Sequence, residues 1–391
     1  MSLNLDKSNW KRVSFGDVVR NVNETVRDLE LAGIDRIIAM EHMDPGELKV
    51  SRWSSTEDGT TFTRRVKPGQ TLFGKRRAYQ RKVAYAEFDA ICSGDIYTFE
   101  ADETQLRGDL LPFLVQSNGF FEHALGTSAG SLSPRTNWRD LKDFEFDLPA
   151  LDEQKRIADL LWATETQKRK LDKQRAATVA LAQLVRDQRF EARPWSATLG
   201  ETITGITAGR SLAAGTAPAA SDTCGVLKVS AVGAEGFVGS ENKELLDQAS
   251  FMPHFAVRAG DLLITRANTS AYVGRPAIVD ADYPNLMLSD KTLRLEVDPA
   301  LASAGFLREF LLTRRTRAAI NAMATGTGAA MKNISQSQIR SLSIPRFSVA
   351  EQAELLNELE LVRDGVTATD AEAIALESVR ASLLDEIFRG N

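Results

Sequence analysis

Leu148-Pro149-Ala150-Leu151-Asp152-Glu153-Gln154-Lys155-Arg156-Ile157-Ala158 opens a run that continues past Pro149 to Arg193 with no further proline and no glycine. Apolar residues recur within it at Ile157, Leu160, Leu161, Leu171, Leu181, Leu184 and Val185, a helical spacing with polar gaps. Asp152 and Glu153 stand where acids favour a helix N-terminus, and Pro194 stops the run. At about 1.5 Å per residue, a helix of some forty residues is roughly 60 Å long. Few globular domains need that length, so the helix is expected to span or space something.

The same signal returns near the C-terminus. Ile344-Pro345-Arg346-Phe347-Ser348-Val349-Ala350-Glu351-Gln352 opens a second run to Phe388, and Ser348 with Glu351 forms an S-x-x-E capping box. Leu355, Leu359, Val362, Val366, Thr369, Ala373, Leu376, Leu383 and Ile387 follow mostly in steps of three and four, as in a coiled-coil seam. Gly365 is a weak point, costing about 1 kcal/mol relative to alanine.

The duplication extends beyond the helices. Trp10 answers Trp195, Val66-Lys67-Pro68-Gly69-Gln70 answers Val257-Arg258-Ala259-Gly260-Asp261, Leu148-Pro149 answers Ile344-Pro345, and Glu153-Gln154 answers Glu351-Gln352. This period is far longer than the 20–50 residues of solenoid repeats. It reads as two copies of one unit, a globular module followed by a long helix: 1–147 and 148–193, then 194–343 and 344–391.

Strand-like runs in the first module are Val13 to Val19, Arg36 to Met40, Leu72 to Phe73, Ala84 to Phe88, Ile96 to Phe99 and Phe144 to Leu148. Asp109 to Leu125 reads as a helix disturbed by Pro112 and Gly119, and Gly126 to Ser133 as a Gly/Ser loop. The second module repeats the plan: strands at Leu227 to Val232, Asp261 to Thr265, Pro276 to Val279 and Lys291 to Val297, a helix from Ala302 to Ala324, and the loop at Gly326-Thr327-Gly328. Mixed strands and helices without regular βαβ alternation place each module in the α+β class.

The composition, 43% hydrophobic and 26% charged, is that of a soluble globular protein. No signal sequence and no apolar run near 18 residues is present, so neither export nor membrane spanning is expected. Cys92 and Cys224 are the two cysteines, one per module, which excludes a disulfide framework and fits a reducing cytoplasm. The net charge of −5 hides a strong asymmetry. Arg64 to Ala86 holds eight basic residues and no acid, and Phe310 to Ala350 six and none. Leu151 to Arg193 has ten basic residues against seven acids, a net of +3, and Val349 to Asn391 three against ten, a net of −7. Nucleic-acid binding follows local patches rather than the total, and opposite charges favour pairing of the two helices.

The richest stretch for such binding is Phe73-Gly74-Lys75-Arg76-Arg77-Ala78-Tyr79-Gln80-Arg81-Lys82, a loop or hairpin tip. Lys75, Arg76, Arg77, Arg81 and Lys82 suit phosphate or guanine, Gln80 suits adenine, and Tyr79 suits stacking or phosphate. Its counterpart carries Arg266, Asn268, Thr269, Tyr272 and Arg275 at similar intervals with less charge. Two side-chain sets on matched scaffolds would read two sequences. Arg135 and Asn137, and likewise Lys332 and Asn333, follow the Gly loops and are candidates for backbone phosphate. His42, His123 and His254 lack metal-ligand spacing and are assigned structural roles; no metal site is expected. No phosphate-binding loop motif is present, and Asp44 and Glu47 form only a faint nuclease-like pair.

The chain resembles the specificity subunit of Type I restriction–modification systems over essentially its whole length. The carrying strings are Ala39-Met40-Glu41-His42-Met43-Asp44-Pro45-Gly46, Leu72 to Lys82 and Ile91-Cys92-Ser93-Gly94-Asp95. In the second half they are Gly260-Asp261-Leu262-Leu263-Ile264-Thr265-Arg266-Ala267-Asn268-Thr269, Ser289-Asp290-Lys291-Thr292-Leu293-Arg294-Leu295 and the end from Ser382 to Gly390. The second helix departs at its start, with Ala353-Glu354 where the first has Lys155-Arg156-Ile157.

The resemblance implies two target-recognition domains in tandem, separated by two long helices packed as an antiparallel, coiled-coil-like pair with pseudo-twofold duplication. Each domain would read one half of a bipartite, asymmetric site in double-stranded DNA. The implied partners are two methyltransferase (M) subunits and restriction (R) subunits. S-adenosylmethionine, ATP and magnesium would serve those partners, and this chain would hold no cofactor and perform no catalysis. A stand-alone DNA-binding regulator and a nuclease are the other readings: the first predicts specific binding without a methyltransferase, the second metal-dependent cleavage by the chain itself.

Overall fold

The structure is a computed structural model that describes residues 6–128, 134–326 and 331–388. The chain divides into two compact units, Met1–Lys173 with Thr369–Asn391, and Gln174–Ala368.

In the first unit, β1 (Lys11–Ser14) leads through a helical turn, α1 (Phe15–Val18), into β2 (Val19–Val22), and then come β3 (Arg36–Ile38), β4 (Ser54–Ser55), β5 (Arg64–Val66), β6 (Thr71–Gly74), β7 (Val83–Tyr85), β8 (Ala90–Cys92) and β9 (Ile96–Ala101). Helices α2 (Leu111–Gln116), α3 (Asn118–Gly126) and α4 (Trp138–Leu141) precede β10 (Glu145–Leu148), which feeds α5 (Leu151–Glu191). Two four-stranded sheets form, in the orders β2-β9-β6-β7 and β4-β3-β8-β5, and β1 pairs with β10. Strand β6 is buried throughout because it lies between two cores. Phe73 packs with Phe15, Phe99 and Phe120 on one face, and Leu72 with Ile38, Val66 and Cys92 on the other.

The second unit has β11 (Ala197–Thr198), β12 (Ile203–Ala208), β13 (Gly225–Leu227), β14 (Asn242–Glu244), β15 (Ala256–Val257), β16 (Leu262–Thr265), β17 (Ala267–Asn268), β18 (Pro276–Ile278), β19 (Tyr283–Met287) and β20 (Thr292–Val297). After them come α6 (Ala304–Leu312), α7 (Arg314–Met323), β21 (Lys332–Asn333), α8 (Gln336–Arg340), β22 (Ser343–Ile344) and α9 (Val349–Phe388). The sheet orders β12-β20-β16-β18 and β14-β13-β19-β15 repeat the first unit strand for strand, including the parallel pair β13–β19 that answers β3–β8. Leu262 and Ile264 enter one core of this unit and Leu263 the other, as the matching strand does in the first.

Several expectations change at their edges. Val13 to Val19 is not one strand: the turn at α1 buries Phe15 and Val18, and β1 and β2 join different sheets. The single helices expected over Asp109–Leu125 and Ala302–Ala324 are each two. Ser117 (ψ 152°) and Thr313 (ψ 146°) leave the helical region, and their hydroxyls accept from Phe120 N and Thr316 N, capping the next helix. Pro112 fits the first turn of α2 without breaking it. Leu227 to Val232 is a strand only to Leu227 and then a 3₁₀ turn, Val229–Ala231. Part of the expected loop at Gly126–Ser133, Thr327 and Gly328 of the second loop, and Arg389 and Gly390 lie outside the described residues.

The long helices are present as read. Within the first unit, Gln167 of α5 meets Glu372 of α9 and Glu165 meets Arg380; within the second, Thr178 approaches Gly365, Arg189 meets Glu358 and Arg193, just beyond α5, meets Glu351. Rising numbers on one helix meet falling numbers on the other, so the pairing is antiparallel. The stripe expected on α5 is only partly inward: Leu160, Leu181 and Leu184 are 39%, 48% and 46% exposed. The helix buries Ile157 and Leu161 in the first unit's core and Phe190 in the second's, and is polar over much of the stretch between.

The Gln of each Glu-Gln pair pins its helix. Buried Gln154 donates to Gln105 O (2.8 Å) and Pro149 O (2.9 Å) and accepts from Arg107 N (2.9 Å). Gln352 donates to Leu301 O (2.8 Å) and Phe347 O (3.2 Å) and accepts from Ser303 N (3.0 Å). In the second unit, the fully buried Glu309 is gripped by Arg186 (2.8 Å), Arg308 (2.5 Å) and Arg363. Burial pushes this carboxyl up, but the three guanidiniums outweigh it and hold it below its ordinary value.

Candidate nucleic-acid interface

The basic loop of the first unit hangs from β6. Lys75 is fixed at both ends of its peptide: its N donates to Asp95 O (3.0 Å) and its carbonyl accepts from Thr136 N (2.9 Å). Arg76 and Arg135 form an isolated β-bridge, and Arg77 N donates to Pro134 O (2.8 Å). The segment carrying Arg135 and Asn137 is thus joined to the loop. A 3₁₀ turn, Ala78–Gln80, follows, with Ala78 buried and Tyr79 55% exposed at the surface.

Arg77 (φ 55°) and Arg81 (φ 52°) flank this turn in the left-handed region. Holding two non-glycine residues there costs about 1–2 kcal/mol each. Such local strain clusters where side-chain placement matters.

The candidate cations differ in what they touch. Asp95 lies between two guanidiniums, 3.2 Å from Arg135 and 3.6 Å from Arg76. Lys75 Nζ sits over the Tyr97 ring at 4.9 Å; burial, then Arg64 and Arg135, push its ammonium below its ordinary value despite Asp95. Arg81 donates to Gln116 O (3.3 Å) and Asn118 Oδ1 (2.6 Å) and lies over Phe121, and Lys82 donates to Met40 O (2.6 Å). Those two brace the module itself. Arg77, Tyr79 and Asn137 are exposed and Gln80 is half-buried.

The second unit builds the same frame. Arg266 N donates to Lys291 O (2.8 Å), and its carbonyl accepts from Ile334 N (3.0 Å). Strand β17 pairs with β21, setting Ala267 opposite Asn333 and Asn268 opposite Lys332. By this bonding, Lys75 matches Arg266, Arg76 matches Ala267, Arg77 matches Asn268, Arg135 matches Asn333 and Asp95 matches Lys291. Arg266, Thr269 and Asn333 are exposed, and Asn268 Oδ1 accepts from Thr269 N (2.8 Å). Arg275 is occupied: it donates to Gly233 O (3.2 Å) and Ala234 O (2.5 Å) and stacks on Tyr272 at 5.5 Å. Lys332 donates to Gly326 O (3.0 Å).

Asp95, Arg64 and Lys291 escape a reading based on loops alone. Asp95 and Lys291 occur in the quoted strings, but nothing local marks them as neighbours of Lys75 and Arg266.

The faint nuclease-like acids are engaged elsewhere, Asp44 with Arg52 (2.6 Å) and Glu47 with Lys168. His42 Nδ1 accepts from Ala39 N (3.0 Å), His123 Nε2 bonds Asp140 O (2.7 Å), and His254 packs on Phe255. Among the described residues no helix is long and apolar enough to cross a membrane.

Two modules of one design each present a different polar set on the same frame, an arrangement able to contact two different stretches of nucleic acid. Residues 7–180 match the family model of the Type I restriction modification DNA specificity domain. Two curated relatives overlap this specificity domain in name. The Type I restriction enzyme EcoEI specificity subunit of Escherichia coli is 32% identical over 163 residues, 41% of this chain and 27% of that protein. The EcoDI specificity subunit, also of Escherichia coli, is 26% identical over 152 residues, 38% of this chain and 33% of that protein. The matches thus span about a quarter to a third of those relatives' length.

Solved structures share the fold beyond the specificity domain. A chain solved in work on complex assembly and conformational transition of the type I R-M system has a TM-score of 0.62 at 18% identity, covering 98% of both chains. The S subunit of the Type I restriction-modification system of M. genitalium has a TM-score of 0.55 at 15% identity, covering 100% of this chain and 99% of that one. At these identities the likeness is one of fold: two mixed α/β domains linked by long helices.

Proposed function

We propose that this chain is the specificity subunit of a Type I restriction–modification system, each of its two modules reading one half of a bipartite, asymmetric site in double-stranded DNA. The observation that carries this reading is the repeated frame with unlike side chains: Lys75, Arg76, Arg77, Asp95 and Arg135 in one half stand where Arg266, Ala267, Asn268, Lys291 and Asn333 stand in the other. Arginine suits guanine and asparagine suits adenine, so the halves would select different sequences. The long helices would space the modules and offer surfaces to two methyltransferase subunits and to restriction subunits. S-adenosylmethionine, ATP and magnesium would be used by those partners in the cytoplasm. Adenine must leave the duplex to be methylated, so this chain's part is to position the enzyme over it.

Co-expression with a methyltransferase subunit and genome-wide mapping of methylated adenine tests the reading. A bipartite motif is expected, and replacing residues 1–147 by another module should change one half of it and leave the other. Loss of independence between the halves would count against it, as would specific binding that needs no methyltransferase and yields no methylation.

A further inference from the structure

The loop of the second half is poor in available charge. Arg275 and Lys332 are bound to backbone carbonyls, leaving Arg266 as its exposed cation. The charge lies next door. Arg210, Lys228, Lys243 and Lys291 line one cleft of about 460 Å³, together with Ser230 and Asp290. The cleft opens directly off the loop, since the Lys291 carbonyl accepts from Arg266 N (2.8 Å).

These cations come from separate parts of the fold. Arg210 follows β12, Lys228 follows β13, Lys243 belongs to β14 and Lys291 precedes β20. Arg210, Lys243 and Lys291 are exposed, and none of the three is ion-paired among the described residues. Lys228 is 3.6 Å from Glu241, which also accepts from Ser230 (2.5 Å). Asp290 is the acid on the lining, against four cations.

Strand register shows that this charge is particular to the second half. Lys243 sits opposite Val226 in β14–β13 as Ser54 sits opposite Ile37 in β4–β3. Lys228 follows β13 as Ala39 follows β3, and Lys291 matches Asp95. Three lysines therefore replace Ala39, Ser54 and Asp95. The first half concentrates positive charge on its loop, and the second has moved it into the cleft.

We propose that Arg210, Lys228, Lys243 and Lys291 form a phosphate-binding track that holds the DNA backbone against the second module, leaving base contact to Arg266, Asn268 and Asn333. This rests on the reading of the chain as a DNA-recognition subunit. Phosphate contact is sequence-independent and releases counterions, with a slope in log K against log salt of about 0.9 per phosphate on duplex DNA.

The test uses the full chain and its Arg210→Ala/Lys243→Ala/Lys291→Ala variant, each assembled with the co-expressed methyltransferase subunit. Each is measured for affinity against salt on a duplex bearing the selected motif and on a scrambled duplex, and for motif choice from a random library. The variant should lose more than about tenfold on both duplexes, its salt slope should fall by about two to three, and its motif should be unchanged. A Lys243→Arg/Lys291→Arg variant, which keeps the charge, should retain affinity and slope. Wild-type affinity and slope in the alanine variant would overturn the proposal; so would a motif altered in its second half, or a loss in the arginine variant equal to that in the alanine variant. A wild-type assembly that selects no motif would instead defeat the DNA-recognition reading, and the track with it.

Discussion

Asp95 and Lys291 hold the same backbone position in the two halves and carry opposite charge. The carbonyl of each accepts from the first residue of the candidate DNA-contacting loop, Lys75 N (3.0 Å) in one case and Arg266 N (2.8 Å) in the other. In the first half this places a carboxylate between Arg135 and Arg76. In the second it adds a further cation to a basic cleft. The halves share a frame and differ in how they distribute charge on it.

Asp95 should therefore trade affinity for selectivity. Asp95→Asn removes the negative charge beside the Arg135 and Arg76 guanidiniums, so the salt slope should steepen by about one. Binding to scrambled DNA should rise and the preference for the first half-site should fall. Salt titrations on matched and scrambled duplexes measure both; an unchanged slope would place Asp95 away from the DNA.

Gln154 should be worth more to folding than its polar character implies. Gln154→Leu removes a fully buried side chain and leaves Gln105 O, Pro149 O and Arg107 N without their partner where α5 begins. Each unsatisfied buried group costs about 1–3 kcal/mol, so a loss of about 2–4 kcal/mol is expected, with Gln352→Leu similar in the second unit. Urea unfolding followed by circular dichroism reads it, and a loss below about 1 kcal/mol would mean that water replaces the side chain.

Removing Glu309 should be severe. Glu309→Leu strands Arg186, Arg308 and Arg363 around an apolar group, and breaking a buried ion pair costs about 3–5 kcal/mol. The effect should appear in unfolding of the second unit, and restoring stability by the further change Arg186→Met would identify the uncompensated charge as its cause.

The start of α9 should be sensitive to acid. Glu351 accepts from Ser348 N (2.8 Å) and from the Ser348 hydroxyl (2.8 Å) and pairs with Arg193 (2.5 Å), and those bonds lower its carboxyl to about 2. A lowered folded value means stability that is present above the usual carboxylate range and is lost as pH falls from about 4.5 towards 2. Glu351→Gln should flatten that part of the stability–pH curve. An equal acid dependence in wild type and variant would sink the assignment.

The helices should act as a ruler. The boundaries of the compact units fall between Lys173 and Gln174 in α5 and between Ala368 and Thr369 in α9. Four residues added at both places lengthen each helix by about 6 Å and turn it by about 40° beyond a full turn. With base pairs about 3.4 Å apart, the gap between half-sites should grow by one or two base pairs while their sequences stay the same. The methylated motif of the variant is the measurement, and an active variant keeping the original gap would show that the helices do not set it.

The sequence by itself determined the duplication, the two long helices and their caps. Those features are written locally: Pro194 ends one helix, Ser348 and Glu351 begin the other, and the pattern from Ile157 to Leu161 repeats within one turn. It also placed the basic loop between two strands, because Leu72 to Phe73 and Ala84 to Phe88 read as strands and the residues between them are largely basic. What it left open depended on partners distant in the chain. Ser117 and Thr313 look neutral inside a helical pattern and become breaks only because each hydroxyl caps the helix that follows. Arg81 and Lys82 look equivalent to Arg77 until Asn118 and Met40 take up their donors. The four cations of the second cleft lie as much as 81 positions apart, from Arg210 to Lys291, and strand pairing alone brings them together. Composition tells which residues carry charge, but which charges remain available to a ligand depends on distances that the tertiary structure fixes.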